Sequence, residues 1–109
     1  MPWLHLLAYG FGGMFLANAV PHFVSGMLGR PFQSPFATPP GEGLSSSTVN
    51  LLWGFANLVF FYLLVAQVGN FDLKNPAHAA SLGLGILAIG LFAARHFGRF
   101  QGGNVPKLS

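Results

Sequence analysis

The sequence contains no cysteine, and only two of its residues, Glu42 and Asp72, are acidic. The absence of cysteine excludes a disulfide framework, thiolate metal sites and a cysteine nucleophile. Both carboxylates lie in polar connections, so no helix carries the acidic group that proton relays and ion-coupled transporters normally use. No nucleophile–base–acid set and no Gly-rich phosphate loop can be assembled either. The sequence therefore predicts a protein that is not an enzyme.

Charge of either sign is scarce. Charged residues make up 6% of the chain, against about 25% in soluble domains, whereas apolar residues make up 52%. This composition predicts an all-α membrane protein. The few Lys and Arg residues lie near helix ends and form no cluster on a soluble surface, so we expect no nucleic-acid partner. The N-terminus lacks the basic region of a secretory signal, and the first apolar segment is predicted to be a retained helix.

Three apolar segments organise the chain, at residues 3–28, 49–68 and 77–97. Each is long enough to cross a hydrocarbon core of about 30 Å, which takes about 20 helical residues. Backbone groups in lipid must be satisfied internally, so the segments should be helices. The connection at 29–48 carries no helix or strand signal, and the tail at 98–109 is polar. The whole chain is predicted to be a single three-helix transmembrane domain.

Local signals mark the helix ends. Asn75 and Pro76 suit the cap and first turn of the third helix, and the serines of 45–48 offer caps for the second. Gly98 is expected to follow the third helix as its stop. Pro21 lies inside the first segment, where it removes one backbone hydrogen bond, so the helix is expected to kink or end there.

Basic residues near the helix ends predict the orientation, because they are enriched on the cytoplasmic side. Arg30, Arg95, Arg99 and Lys107 share one predicted side, and Lys74 alone lies on the other. The N-terminus is therefore predicted outside and the C-terminus in the cytoplasm, with the bacterial inner membrane as the expected location.

Small residues form two stripes on the third helix. Ser81 and Gly85 share one face, and Gly83 and Gly90 lie nearly opposite. Membrane helices pack where small residues let their backbones approach, and Gly13 lies in a similar stripe on the first helix. Glycine is also generally common in membrane helices. Two opposed stripes nevertheless predict neighbours on two sides, one of them from outside this chain.

A polar stripe runs along each of the first two helices, with Asn18 and His22 on the first and Asn50 and Asn57 on the second. A buried polar group is costly unless it is hydrogen-bonded. We therefore expect these side chains to bond to one another, or alternatively to a polar ligand or a partner.

Four histidines raise the question of a haem or metal, since neutral imidazole ligates both. The first and third segments each supply one histidine at each predicted membrane side, and these levels lie about 26 Å apart along a helix. Interfacial histidines bonded to head groups or water are the simpler interpretation. No cofactor is required and no metal site is predicted. His22 is the candidate ligand if haem or (bacterio)chlorophyll is bound.

The connection at 29–48 repeats a Pro-Phe pair, as Pro31–Phe32 and Pro35–Phe36. A solvent linker would be rich in Gly and Ser, and disorder would come with low hydrophobicity and high charge. We therefore predict an ordered loop that docks onto a protein partner. Docking onto the membrane interface and disorder are the alternatives.

The leading functional hypothesis is a small accessory subunit of a larger membrane complex, of bioenergetic type, that stabilises assembly through helix packing and loop docking. Its partners would be larger membrane-protein subunits and lipids. The alternative is a small haem- or chlorophyll-binding membrane protein. A membrane enzyme or transporter working as a homo-oligomer is a third hypothesis, which the absence of intramembrane carboxylates disfavours.

Overall fold

The computed structural model describes residues 2–105 and contains three long helices. Helix α1 spans Pro2–Met27, α2 spans Ser47–Ala66 and α3 spans Pro76–Gln101. Each of the three is long and apolar enough to cross a membrane. The prediction of an all-α chain with three candidate transmembrane helices is therefore confirmed.

The predicted caps of α2 and α3 are confirmed. Ser46 precedes α2, and its Oγ accepts a hydrogen bond from the Val49 amide at 3.2 Å. Asn75 precedes α3, and its Oδ1 accepts one from the Ala77 amide at 2.9 Å, with Pro76 in the first turn. These side chains satisfy amides that have no partner inside the helix, which fixes where each helix begins.

Helix α1 does not end at Pro21, which lies inside a continuous helix. The reason is close packing against α2 just beyond the proline. The α1 backbone at Phe23 lies where a Cβ on Gly54 would fall, and the α2 backbone at Leu51 lies where a Cβ on Gly26 would fall. A helix held this closely by its neighbour can lose one backbone hydrogen bond without ending.

Helix α3 also continues beyond the predicted stop. Gly98 is buried within it, and the helix ends instead at Gly102, which has a φ of 80°. The chain then turns back, so that Asn104 Nδ2 donates to the Arg95 carbonyl at 2.9 Å and the Asn104 side chain packs on Gly98. Gly98 therefore provides room for a contact with the tail, and the prediction that it terminates α3 was wrong.

Two short strands in the connection between α1 and α2 correct the prediction that it contains none. Strand β1 is Phe32–Gln33 and strand β2 is Leu44–Ser45, paired antiparallel with Phe32 opposite Ser45. Between them the chain turns sharply, and the Gly41 amide donates to the Ser34 carbonyl at 2.8 Å. Strands of two residues have no hydrophobic period, so the sequence alone could not reveal them.

Helix α1 lies in the middle of the bundle. It packs against both α2 and α3, which make little contact with each other. Gly12 faces α2 at Val65, and Gly13 faces α3 at Leu82. The most deeply buried side chains are largely polar, whereas large apolar side chains are exposed along all three helices. This distribution suits helices that face lipid on the outside and pack through small and polar residues inside.

Candidate functional site

The polar residues of α1 and α2 meet in the structure. Asn18 Nδ2 donates to Asn57 Oδ1 at 3.1 Å, and Asn57 Nδ2 donates to the Trp53 carbonyl at 2.8 Å. His22 Nδ1 lies 2.7 Å from Asn50 Oδ1. All four predicted side chains are therefore paired across one interface, and each hydrogen bond satisfies groups that would be costly to bury alone.

Asn50 connects this interface to the loop. Its Nδ2 lies 3.1 Å from the Phe32 carbonyl, 3.2 Å from the Ser45 carbonyl and 3.1 Å from the Ser46 carbonyl. The side chain is completely buried, at 0% exposure. One amide thus joins α1, through His22, to both strands and to the start of α2.

The Asn50 contacts determine which nitrogen of His22 carries the proton. Because Nδ2 of Asn50 faces three carbonyl oxygens, its Oδ1 faces His22 and must accept the hydrogen bond. Nδ1 of His22 is therefore the protonated nitrogen, and in the neutral ring Nε2 keeps the free lone pair. No residue between 2 and 105 hydrogen-bonds to this Nε2.

The ring of Phe32, in the first Pro-Phe pair of the loop, is directed into the bundle. The Phe32 ring lies edge-on to His22, with centroids 5.6 Å apart, and 4.7 Å from the ring of Phe97. Phe32 was predicted to be an anchor for a partner, but the structure gives it contacts within its own chain. Its ring thus contacts a residue of α1 and a residue of α3. Pro31 beside it is exposed.

The second Pro-Phe pair faces outward. Pro35 is exposed, and Phe36 is 64% exposed while packing edge-on against Trp53 at 5.1 Å. Among the four predicted docking residues, Phe36 is therefore the aromatic that stays available to a neighbour.

The C-terminal end of α3 holds the loop from the other side. His96 Nε2 donates to the Gly41 carbonyl at 2.6 Å, and Gln101 Nε2 donates to Gln33 Oε1 at 3.2 Å. Arg99 and Glu42 add an ion pair at 3.3 Å with both side chains about half exposed, which contributes little. The loop is thus attached to all three helices.

A cavity of about 390 Å³ lies beneath the loop. This volume falls within the range of about 300–1,000 Å³ that is typical of small-molecule sites. Its lining comes from all three helices and the loop: Asn18, His22, Gln33, Ser34, Pro35, Pro40, Gly41, Trp53, Phe92, His96 and Phe97. Protein families, characterised proteins and solved structures give no match to this chain. The chemistry of the cavity must therefore be derived from these residues alone.

His22 is the side chain of this cavity that could ligate a cofactor through Nε2. The rings of Phe32 and Phe97 stand beside its imidazole, and haem or (bacterio)chlorophyll stays a prediction from the sequence. Within the described part of the chain, no group of three or more His, Asp or Glu side chains could hold a metal ion.

Among the lining residues that sequence reasoning missed, three are held by side-chain hydrogen bonds: Gln33, Ser34 and His96. Ser34 is 1% exposed, and its Oγ lies 2.6 Å from Ser45 Oγ. Gln33 and His96 bond to groups 68 and 55 residues away in the chain. For Gln33 and Ser34 the one available signal was the number of polar residues in a connection that also carries aromatics.

The predicted packing residues separate into two groups. A Cβ on Gly85 or Gly13 would collide with the backbone of the facing helix, at Gly10 and Leu82 respectively, and the Ser81 carbonyl approaches Gly10 in the same interface. By contrast, a Cβ on Gly83 or Gly90 would meet nothing within 4 Å. The second stripe of α3 therefore faces away from the rest of the described chain.

Proposed function

We propose that the protein is a small, non-enzymatic integral membrane subunit that packs against a helix of a larger membrane complex and stabilises its assembly. The observation that carries this proposal is the open face of α3. At the glycines inside the bundle, such as Gly13, Gly54 and Gly85, a neighbouring backbone occupies the space of a Cβ. At Gly83 and Gly90 that space is empty.

The presence of two glycines on the exposed face of α3 needs a physical explanation. Glycine costs a helix about 1 kcal/mol relative to alanine, and packing of another backbone against it offsets that cost. Gly83 and Gly90 are seven residues apart, so they lie on the same face two turns apart. Helix α3 is also the least buried of the three candidate spans. A helix of a larger subunit is the proposed occupant, and the bioenergetic type of the complex stays a prediction from the sequence.

Gly83→Leu and Gly90→Leu should each reduce the amount of partner subunit that co-purifies in mild detergent, by more than about tenfold for the double variant. Leucine prevents the close backbone approach that small residues allow. The measurement is native electrophoresis with quantitative mass spectrometry of the purified complex. Leu63→Phe, at an exposed position on α2, is the control and should behave as wild type.

Wild-type levels of partner in the double glycine variant would refute the proposal, and so would a wild-type chain that purifies alone.

The same assay distinguishes the roles of the two phenylalanine rings of the loop. Phe36→Ala removes the exposed ring and should weaken the complex directly. Phe32→Ala removes a ring that packs on His22 and Phe97, so its first effect should be on the loop of the isolated chain.

The proposed orientation places the loop and the C-terminus in the cytoplasm of a bacterium. Arg30, Arg95 and Arg99 lie near the loop end of the bundle, and Lys74 lies in the connection between α2 and α3; Lys107 is outside the described residues. Green fluorescent protein fused after Ser109 should fluoresce, and alkaline phosphatase at the same point should be inactive. Fusions inside residues 70–74 should give the reverse pattern. An active phosphatase after Ser109 would invert the topology.

A further inference from the structure

The cavity beneath the loop is lined by a nitrogen atom that can accept a hydrogen bond but has no donor for it. His22 is only 2% exposed, yet its Nε2 carries the free lone pair and bonds to none of residues 2–105. The Nδ1 contact with the completely buried Asn50 fixes the orientation of the ring. A preorientated imidazole lining a cavity is suited to accept a hydrogen bond from a hydroxyl group.

The same cavity is lined by a residue with an unpaired donor. Trp53 Nε1 is the one buried side-chain polar atom without a partner across the described chain. A buried N–H without an acceptor is unfavourable, and such a group in a native fold calls for an explanation. The N–H is covered by its neighbours in this structure.

The remaining walls define the shape of a ligand. Phe92, Phe97 and Trp53 supply aromatic surfaces, and Pro35 and Pro40 add flat apolar ones. No Lys, Arg, Asp or Glu lines the cavity, which disfavours phosphates, carboxylates and cations. The other polar side chains of the lining, Asn18, Gln33, Ser34 and His96, already bond to groups of the chain itself, which disfavours sugars. An aromatic ring would pack well against such walls.

We propose that this cavity binds a small hydroxylated aromatic ring of the hydroquinone type, with one ring hydroxyl donating to His22 Nε2. The second ring oxygen accepts from Trp53 Nε1, which the side chains around the indole would uncover when the ring binds. The ring itself lies among the phenylalanine side chains. This site is independent of the proposed assembly role, because Gly83 and Gly90 take no part in its lining.

The test uses the full chain in mild detergent under anaerobic conditions, titrated by calorimetry with trimethylhydroquinone and, separately, with trimethylbenzoquinone. The two probes have nearly the same shape, but the quinone has no hydroxyl to donate. The hydroquinone should bind with a Kd about tenfold lower or better, because the quinone leaves the His22 acceptor unpaired and opposes it with another acceptor. Equal Kd values for the two forms, or heats no larger than those of empty micelles, would overturn the proposal.

Variants of the wall residues test the assignment, and those of Trp53 leave the Asn50 contacts in place, whereas a change of His22 removes one of them. Trp53→Phe keeps an aromatic ring but removes the N–H, and it should raise the Kd of trimethylhydroquinone about threefold to tenfold. Trp3→Phe makes the same change at an exposed position on the opposite end of α1, and it should leave the Kd unchanged. An unchanged Kd of trimethylhydroquinone in Trp53→Phe would show that the indole N–H does not bind the ligand. His22→Phe should abolish the preference for the reduced probe, and a preference that survives would refute the hydroxyl contact.

Discussion

Gly85→Leu is expected to separate α3 from α1 and to destabilise the bundle by about 3 kcal/mol or more, at the upper end of the range for overpacked interiors. A Cβ at position 85 falls on the Gly10 carbonyl, with the Met14 amide nitrogen also within 3.1 Å. Both obstacles belong to the α1 backbone, so no side chain can rotate away to make room. The two helices must move apart, and α3 then loses most of its packing contacts within this chain.

The measurement is the midpoint of unfolding in an SDS titration of the isolated chain, followed by pulse proteolysis. Gly83→Leu is a closely matched control, since it adds the same side chain two residues away, where nothing lies within 4 Å of a Cβ. The control should unfold at the wild-type midpoint or slightly above it, because leucine favours a helix more than glycine does, although it is expected to lose the partner subunit. If Gly85→Leu and Gly83→Leu share one midpoint, the α1–α3 interface described above is wrong.

Asn50→Leu should release the loop from the helices. Leucine has a similar volume but strands His22 Nδ1 and the carbonyl groups of Phe32 and Ser45, all of which now lie within 3.2 Å of the amide. Each buried polar group left without a partner costs about 1–3 kcal/mol, and water entering beneath the loop offsets part of that cost. We expect a net destabilisation of about 2–4 kcal/mol, concentrated in the loop.

Hydrogen–deuterium exchange locates this effect. The amides of Ser34 and Gly41, which bond to the Gly43 and Ser34 carbonyls, should exchange at least about tenfold faster in Asn50→Leu, as expected for a locally opened segment. Amides in the middle of α3 should be unaffected. Asn18→Leu is the matched control, because it removes a single side-chain hydrogen bond and leaves Asn57 bonded to the Trp53 carbonyl. Loop protection that is unchanged in Asn50→Leu would show that the amide does not hold the strands.

The sequence by itself determined the helices and their beginnings. Length and hydropathy over some 20 residues are local properties, and they predicted three spans that α1, α2 and α3 match closely. Caps are local as well, so Asn75 with Pro76 could be read directly. Helical periodicity shows which small and polar residues share one face of a helix. For this reason the side chains of four residues could be expected to meet: Asn18, His22, Asn50 and Asn57.

The tertiary structure alone decided what lies between the helices. That Phe32 turns inward while Phe36 stays exposed depends on hydrogen bonds from the Asn50 and His96 side chains to backbone carbonyls, and a carbonyl has no residue signature in a sequence. The end of α3 was mispredicted at Gly98, and α1 does not end at Pro21, which was one of the two outcomes predicted there, for a related reason. Helix-breaking propensity is a local preference of the order of 1–3 kcal/mol, and packing from distant parts of the chain outweighs it at both positions.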